Sequence, residues 1–173
     1  LSMNVAAAEI TRCVLERDDK VRILDADALN IIAGEHIDYK GSREGQIIIT
    51  PHIMEMSRLT GKTVADIKEH MIESAKEYAI QHSCICILKD ARTVVTDGQK
   101  VCTGNDGMST GGCGDVLTGL IAGMTAMGLD AFEAACLSVY VHGKAGDYAA
   151  SGKGRAGMTA ADISEAIAYV LKR

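Results

Sequence analysis

Apolar residues in the first ninety positions follow two alternating spacings. Residues 5–17 carry them at helical intervals, and a short apolar block ended by acids follows at 20–24. A second apolar block, QIIIT at 46–50, precedes an amphipathic stretch at 63–82, and a third block, CICILK, follows at 84–89. Short continuous apolar blocks are typical of buried strands, and 3.6-residue spacing is typical of helices. The pattern predicts a parallel sheet with helices packed on it.

The pattern changes after the third apolar block. Two short runs rich in β-branched residues, at 91–95 and 100–104, stand on either side of Asp97 and Gly98. An Asp-Gly pair between two such runs is a strong signal for a tight turn. We therefore expect a small antiparallel hairpin as an appendage to the parallel sheet.

The last third of the chain is predicted to be helical. Small and apolar residues predict one helix from about 115 to 127 and another from about 131 to 150. Thr159, with Asp162 three residues later, predicts the start of the last helix, because this spacing forms a capping box. Thr63 opens the amphipathic stretch in the same way.

Length and composition fit one domain. The chain has 173 residues, of which 47% are hydrophobic, and this is enough for a single α/β domain over residues 1–173. A formal net charge of −5 gives no general attraction to nucleic acid or to an anionic membrane. Aromatic residues make up 3% of the chain, with no Trp, so a stacking platform for single-stranded nucleic acid is not supported. We expect neither nucleic acid nor a membrane as a partner.

The cysteine pattern argues against a metal site or disulfides. Six cysteines are spread along the chain without a CxxC pair or a His/Cys cluster at zinc spacing. We therefore expect reduced thiols, a cytoplasmic location and no metal held by protein side chains. The N-terminus shows no basic leader before an apolar core, and the most membrane-like stretch, 116–129, is too short to span a bilayer.

A cluster of glycines precedes an acidic residue in the second half of the chain. Gly111, Gly112 and Gly114 stand directly before Asp115 and an apolar helical stretch. Such glycines let backbone N–H groups converge on an anion, and the following helix adds its positive end, so the segment predicts a phosphate site. Asp115 in the first turn would suit a base that deprotonates a hydroxyl attacking phosphorus. The alternative is a tight loop in which Asp115 only caps a helix.

Polar residues follow two of the predicted strands. His52, Glu55 and Arg58 follow the block at 46–50, at the strand end where open α/β sheets bind ligands. The alternative is an ordinary loop with solvated side chains. Within the segment 25–30, Asp27 either contacts a ligand or caps a helix, and capping is favoured.

Four further residues have structural interpretations at this stage. Lys89, at the end of its strand, either reaches a phosphate or leaves the strand for solvent. His142 is interpreted as a core histidine with satisfied hydrogen bonds. Cys84 and Cys86 share one strand face and are interpreted as packing residues.

Five segments in this order resemble a known family. They are DADALN (25–30), TPHxxE (50–55), KxARTVV (89–95), TGNxGMxTGGxGDVLTGLIAG (103–123) and YxHGxAGD (140–147). Together they resemble the ADP- or ATP-dependent NAD(P)H-hydrate dehydratases of the ribokinase-like superfamily. The resemblance implies a ribokinase-like fold of which this chain is the C-terminal portion, incomplete at its N-terminus.

The resemblance implies a repair reaction on nicotinamide cofactors. Hydrated NADH or NADPH would be dehydrated by phosphorylation of the ring hydroxyl and elimination of phosphate, with ADP or ATP as co-substrate and Mg²⁺ held by phosphate oxygens and water. Asp115 would be the catalytic base. Backbone N–H groups of Gly112, Cys113 and Gly114 would stabilise the charge that develops during transfer.

The resemblance also implies binding residues and partners. The hydrate would contact His52, Glu55 and Asp115. Expected partners are the hydrate, an adenine nucleotide, an NAD(P)H-hydrate epimerase and further copies of the chain in a homo-oligomer. The nucleotide would contact Lys89, Asp90, Ala91, Arg92, Thr93, Asn105, Gly107, Met108, Thr110, Gly111, Gly112, Cys113 and Gly114.

Some positions depart from the family pattern and keep two alternatives open. Ile53 and Met54 stand where Pro-Gly is usual, and the acids Asp90 and Asp106 stand where Gly and Pro are usual. The two acids predict weaker attraction for nucleotide phosphates. One alternative is a small-molecule kinase of the same superfamily, which would release a stable phosphate ester. The other is a catalytically inactive nucleotide-binding subunit.

Overall fold

The computed structural model describes residues 5–42, 46–104 and 111–172. The chain divides into two compact units, one formed by residues 1–89 and 94–102 and the other by 90–93 and 103–173. The helices are α1 (Val5–Leu15), α2 (Asp27–Gly34), α3 (Ile53–Thr60), α4 (Val64–Glu69), α5 (Met71–His82), α6 (Cys113–Ala126), α7 (Ala131–Lys153) and α8 (Ala160–Leu171). The strands are β1 (Arg22–Leu24), β2 (Ile47–Ile49), β3 (Ile85–Leu88), β4 (Val94–Thr96) and β5 (Val101–Thr103).

The five strands form one mixed sheet in the order β1-β2-β3-β4-β5. The first three are parallel, with Ile23 opposite Ile48 and Ile49 opposite Cys86. This confirms the α/β class and the parallel arrangement expected from the apolar blocks. The hairpin is not an appendage, because β4 pairs antiparallel with β3 and continues the same sheet. The β-branched side chains of β4 are fully buried, so packing into the sheet is favoured over a free hairpin.

The turn between β4 and β5 forms where the sequence predicts it. The carboxylate of Asp97 accepts hydrogen bonds from the backbone N–H groups of Gln99 and Lys100, at 2.9 and 2.7 Å. Gly98 has φ +93°, and a Cβ atom there would lie 2.5 Å from a side-chain carbon of Ile80. Glycine is therefore required at this position for both conformation and space.

The core of the first unit lies on both faces of its strands. Ile47, Ile48 and Ile49 are all completely buried, as expected for a strand covered on both faces. Cys84 and Cys86 are buried beside them, and no disulfide joins any of the six cysteines, all of which lie in described segments. Burial raises the pKa of the Cys84 thiol to about 12 and that of Cys86 well above its usual value. The packing interpretation of these two residues is confirmed.

Two helical expectations in the first unit were wrong, and two short helices were missed. The stretch 63–82 is two helices, because His70 leaves the helical conformation between α4 and α5 (φ −126°, ψ 50°). The break allows Ile67 of α4 and Tyr78 of α5 to enter the same hydrophobic cluster. Helices α2 and α3 were not predicted. Asp27 is not the cap of α2, because Ala26 occupies that position and Asp27 lies in the first turn, where its charge favours the positive helix end.

The second unit is built mainly from α6, α7 and α8, which pack on one another. Buried residues of α7 include Ala135, Ala145 and Gly146, and such small side chains allow close approach of helices. Thr159 and Asp162 form the expected capping box at the start of α8. Across the described segments, no helix combines the length and the apolar composition that a membrane crossing requires.

Candidate functional site

Polar side chains gather at the carboxyl ends of β1, β2 and β3. Because parallel strands end at the same edge of a sheet, Asp25, His52 and Lys89 lie at one edge of the first unit. The backbone continues the pairing beyond the strands, since the N–H of Lys89 donates to the carbonyl of Pro51 over 2.8 Å. This is the edge where open α/β sheets bind ligands.

His52 and Glu55 form a reciprocal capping box at the start of α3. The Glu55 carboxylate accepts a hydrogen bond from the backbone N–H of His52 at 2.8 Å, and the Glu55 N–H donates to Nδ1 of His52 at 3.1 Å. The other Glu55 oxygen lies 3.4 Å from Nε2 of the same ring. The Glu55 side chain is 5% exposed, whereas that of His52 is 49% exposed. The carboxylate is therefore turned inward onto His52, and the imidazole faces outward.

Arg58 connects the two short helices that follow β1 and β2. Its guanidinium donates to the side-chain carbonyl of Asn30 at 2.7 Å, which links α3 to α2. Arg58 is exposed, and its hydrogen bond to Asn30 holds the two helices together. The hydrogen bond joins residues 28 positions apart, so no local sequence pattern predicts it.

Lys89 forms an ion pair that sequence analysis did not anticipate. Its ammonium lies 3.0 Å from a carboxylate oxygen of Asp25, with the two side chains 23% and 13% exposed. The pair bridges the end of β2, since Asp25 follows β1 and Lys89 follows β3. Strands two places apart are separated by roughly 9.5 Å, so both side chains must point over the intervening strand end. Lys89 is thus held at the sheet edge and does not simply leave for solvent.

The start of α6 in the second unit carries the predicted glycine cluster. Gly112 is the residue before the helix and has the left-handed conformation, φ +86°. Among residues 5–42, 46–104 and 111–172, no side chain caps the helix there, and Gly111 and Gly112 are exposed. A helix start preceded by exposed glycines is suited to an anion, because its first N–H groups have no partner within the helix. Asp115 lies in the first turn and is also exposed.

His142 contacts the first residue of the same helix, α6. It is buried in α7, and its Nε2 lies 3.0 Å from the backbone carbonyl of Cys113. Because a carbonyl can only accept, Nε2 carries the proton in this contact. Cys113 itself is buried, so the first residue of α6 is fixed by both packing and a hydrogen bond. The interpretation of His142 as a core histidine is confirmed.

The remaining predicted nucleotide contacts fall into two groups. In 90–93, Asp90 is half-buried, Ala91 and Arg92 are exposed, and Thr93 is buried with its carbonyl accepting from the Gly104 N–H at 2.8 Å. Asn105, Gly107, Met108 and Thr110, with Asp106, lie outside the described residues. Within the described segments, no three His, Cys, Asp or Glu side chains are grouped so that they could hold a metal ion.

Two open cavities occur elsewhere in the first unit. One, of about 340 Å³, lies at the amino-terminal ends of β2 and β3 and is lined by residues such as Gln46, Ser83 and Asp97. The other, of about 430 Å³, lies between α4 and α5 and is lined mainly by charged side chains. Neither cavity is lined by a residue predicted to bind the hydrate or the nucleotide.

Sequence comparison finds one family over nearly the whole chain. Residues 1–169 match the family described as NAD(P)H-hydrate dehydratase. The chain is 43% identical over 176 aligned positions to the bifunctional NAD(P)H-hydrate repair enzyme Nnr of Moorella thermoacetica, with 99% of this chain and 33% of that protein covered. It is 33% identical to the ADP-dependent (S)-NAD(P)H-hydrate dehydratase of Neisseria meningitidis, with 97% of this chain and 59% of that protein covered.

Structural comparison gives the same result. The chain superposes on the ADP/ATP-dependent NAD(P)H-hydrate dehydratase from Bacillus subtilis, co-crystallised with ATP and Mg²⁺ and soaked with CoA, with a TM-score of 0.86 at 31% identity. The superposition covers 100% of this chain and 63% of that one. The chain therefore spans about a third of the bifunctional relative and less than two thirds of the single-activity relatives.

Proposed function

Because the chain belongs to the NAD(P)H-hydrate dehydratase family, we propose that its protein repairs hydrated NADH and NADPH by dehydration, at the expense of ADP or ATP. The observation that carries this proposal is the start of α6. Exposed glycines precede a helix start that no side chain of the described residues caps, and Asp115 stands in the first turn of the same helix. This combination suits phosphoryl transfer to a hydroxyl.

The nucleotide is proposed to bind through its phosphates to the glycine segment. Gly111 and Gly112 have no side chain that would block a phosphate, and the helix start supplies positive potential. Lys89, held in place by Asp25, adds a positive charge at the ends of the strands. The remaining proposed contacts are Asp90, Ala91, Arg92, Thr93, Asn105, Gly107, Met108, Thr110, Cys113 and Gly114.

Mg²⁺ fits this proposal as a companion of the nucleotide. It commonly keeps several waters and binds through substrate phosphates, so it does not need a set of protein ligands. The described side chains offer no such set. When bound, the ion would neutralise phosphate charge during transfer.

The proposed reaction has two steps. In the first, the ring hydroxyl oxygen attacks the terminal phosphorus of the nucleotide, the phosphoanhydride bond breaks, and Asp115 takes the hydroxyl proton. In the second, the neighbouring carbon loses a proton to water, and the carbon–oxygen bond of the phosphate ester breaks with its electron pair leaving on the phosphate. This restores the ring double bond and releases inorganic phosphate. Phosphate leaves far more readily than hydroxide, and this difference is the reason for the nucleotide.

Four further assignments belong to the proposal. His52, Glu55 and Asp115 serve binding of the hydrate. An NAD(P)H-hydrate epimerase is the proposed partner, because the Moorella relative is a bifunctional repair enzyme. A homo-oligomer is the proposed assembly. Six cysteines without a disulfide fit a reducing cytoplasm.

Recovery of NADH from its hydrate tests the proposed function. The full-length protein is incubated with the hydrate, Mg²⁺ and either ADP or ATP, and NADH and inorganic phosphate are measured together. We expect equal amounts of the two products, with one nucleotide preferred. A stable phosphate ester would instead indicate a kinase, and nucleotide binding without any product would indicate an inactive subunit. Either result would reject the proposal.

A further inference from the structure

We propose that His52 binds the hydrate as a neutral hydrogen-bond donor through Nε2–H, and that Glu55 is a positioning residue that holds this ring. The inference deepens the proposed function and rests on it. It assigns different roles to two residues that the sequence placed together in the hydrate site. One contacts the substrate, and the other acts through its neighbour.

The start of α3 determines which ring nitrogen carries the proton. The backbone N–H of Glu55 donates to Nδ1 of His52 over 3.1 Å. A backbone N–H can only donate, so Nδ1 must offer its lone pair and cannot carry a proton while this cap is formed. The proton of the neutral ring is therefore on Nε2.

Glu55 fixes the position of the ring from the other side. Its Oε2 accepts from the backbone N–H of His52 at 2.8 Å, and its Oε1 lies 3.4 Å from Nε2. The second distance is longer than a normal N–H···O hydrogen bond, so Nε2–H remains available to a ligand. Since the Glu55 carboxylate is 5% exposed, it has little surface with which to contact the hydrate directly.

The exposed imidazole then selects an acceptor. His52 is half exposed at the strand ends, where ligands bind in open α/β sheets. A hydrated nicotinamide ring offers two neutral acceptors, its carboxamide oxygen and its hydroxyl oxygen. A donor of fixed tautomer can bind either, and it cannot also remove a proton from the hydroxyl. Proton removal is then left to Asp115.

Nitrogen NMR of the imidazole tests the tautomer directly. In the full-length protein labelled with ¹⁵N-histidine, we expect His52 to show an unprotonated Nδ1 and a protonated Nε2, before and after addition of the hydrate. Addition of the hydrate should shift Nε2 more than Nδ1. A proton on Nδ1 in the free protein, or no shift at Nε2 when the hydrate binds, would overturn the inference.

Two variants separate donation from capping. Asn and Asp both cap helices well, so His52→Asn and His52→Asp should both keep α3 and the thermal midpoint. Only Asn can donate. We expect KM for the hydrate to rise about tenfold or more in His52→Asp and clearly less in His52→Asn, with nucleotide affinity unchanged in both. Equal rises in the two variants would contradict the donor role.

Glu55→Gln tests the positioning role. The Gln carbonyl can still accept from the His52 N–H, but its amide no longer attracts Nε2–H. We expect a higher KM for the hydrate, an altered Nε2 signal and an unchanged kcat. An unaltered Nε2 signal together with an unchanged KM would remove Glu55 from this role. Should the wild-type protein bind no hydrate at all, the proposed function fails, whereas the tautomer of the free protein is still decided by the NMR spectrum.

Discussion

Helices α3 and α6 begin in opposite ways. At α3, the His52 ring and the Glu55 carboxylate satisfy backbone N–H groups reciprocally, so the helix start is closed by its own side chains. At α6, Gly112 precedes the helix in a left-handed conformation, and no side chain in the described part of the chain caps it. The first arrangement fixes the position of a side chain, and the second suits an anion at the helix start.

This difference assigns different tasks to the two helix starts. A closed start adds stability and holds an imidazole in one orientation, which suits recognition of a neutral group. An open start gives up the stability of a cap, about 1 kcal/mol, in return for a site that attracts an anion. The proposed substrates match these properties, because the hydrate ring is neutral and the nucleotide phosphates are charged.

The largest expected effect comes from the open start. Asp115→Asn removes the proposed base but keeps the size of the side chain, so we expect kcat to fall by about 10²–10⁴-fold. Nucleotide affinity and the thermal midpoint should stay close to wild type, because Asp115 is exposed. Steady-state kinetics, isothermal titration calorimetry and a thermal melt measure the three quantities. A variant with normal turnover would remove Asp115 from catalysis.

A side chain at Gly112 should impair the start of α6 through backbone strain. Gly112→Ala places a side chain at φ +86°, and its Cβ would lie 3.1 Å from Cβ of Ala160. We expect a loss of about 1–2 kcal/mol in the free energy of unfolding and weaker nucleotide binding. Gly119→Ala is the matched control, since it lies inside α6 with open space around it, and it should gain about 0.5–1 kcal/mol. Denaturant unfolding measures the free energy of unfolding of both variants. Equal changes in the two would contradict the argument that Gly112→Ala is strained.

A third helix start tests the value of a cap without a functional role. Thr159 and Asp162 close α8 as a capping box. Thr159→Ala should lower the free energy of unfolding by about 1 kcal/mol and leave turnover unchanged, whereas Thr159→Ser should lie near wild type. Chemical denaturation and activity assays measure the two. A lower kcat in fully folded Thr159→Ala would contradict this prediction, because it would show that the cap of α8 also affects catalysis.

The smallest effect concerns pH at the same cap. Hydrogen bonds from Lys153 and then from Thr159 hold the pKa of Asp162 at about 2, below its usual value near 4. A lowered pKa in the folded state means that this stabilisation is complete above about pH 4 and is lost as the pH falls through about 2. The difference in thermal midpoint between wild type and Asp162→Asn should therefore shrink over that range. A constant difference would show that the carboxylate does not titrate as described.

Burial explains which elements the sequence predicted. Strands β1, β2 and β3 are covered on most sides, so their residues form apolar blocks that stand out, and Ile47–Ile49 is the clearest case. Thr159 and Asp162 predicted a helix start because the signal lies within four residues. Helices α2 and α3 were missed because eight residues give only two turns of periodicity. The break at His70 was missed because neither Gly nor Pro marks it.

The candidate site shows the same division between local and distant information. The glycine cluster before Asp115 was visible, since its chemistry lies within one short segment. The capping box of His52 and Glu55 had the right spacing, but His is not a usual cap residue. The pairing of Lys89 with Asp25 depends on strand order, which places residues 64 positions apart at one edge. No single-sequence pattern contains that order.

The buried cysteines also provide a means of timing the opening of each unit. The reactive form of cysteine is the thiolate, so the buried Cys84 and Cys86, with raised pKa values, should resist alkylation while the first unit is closed. Cys113 has 3% exposure in the second unit, and Cys13 is exposed. Mass spectrometry of alkylated peptides would measure the opening rate of each unit separately, with Cys13 as the reference that reacts at once. The experiment needs no substitution in the protein.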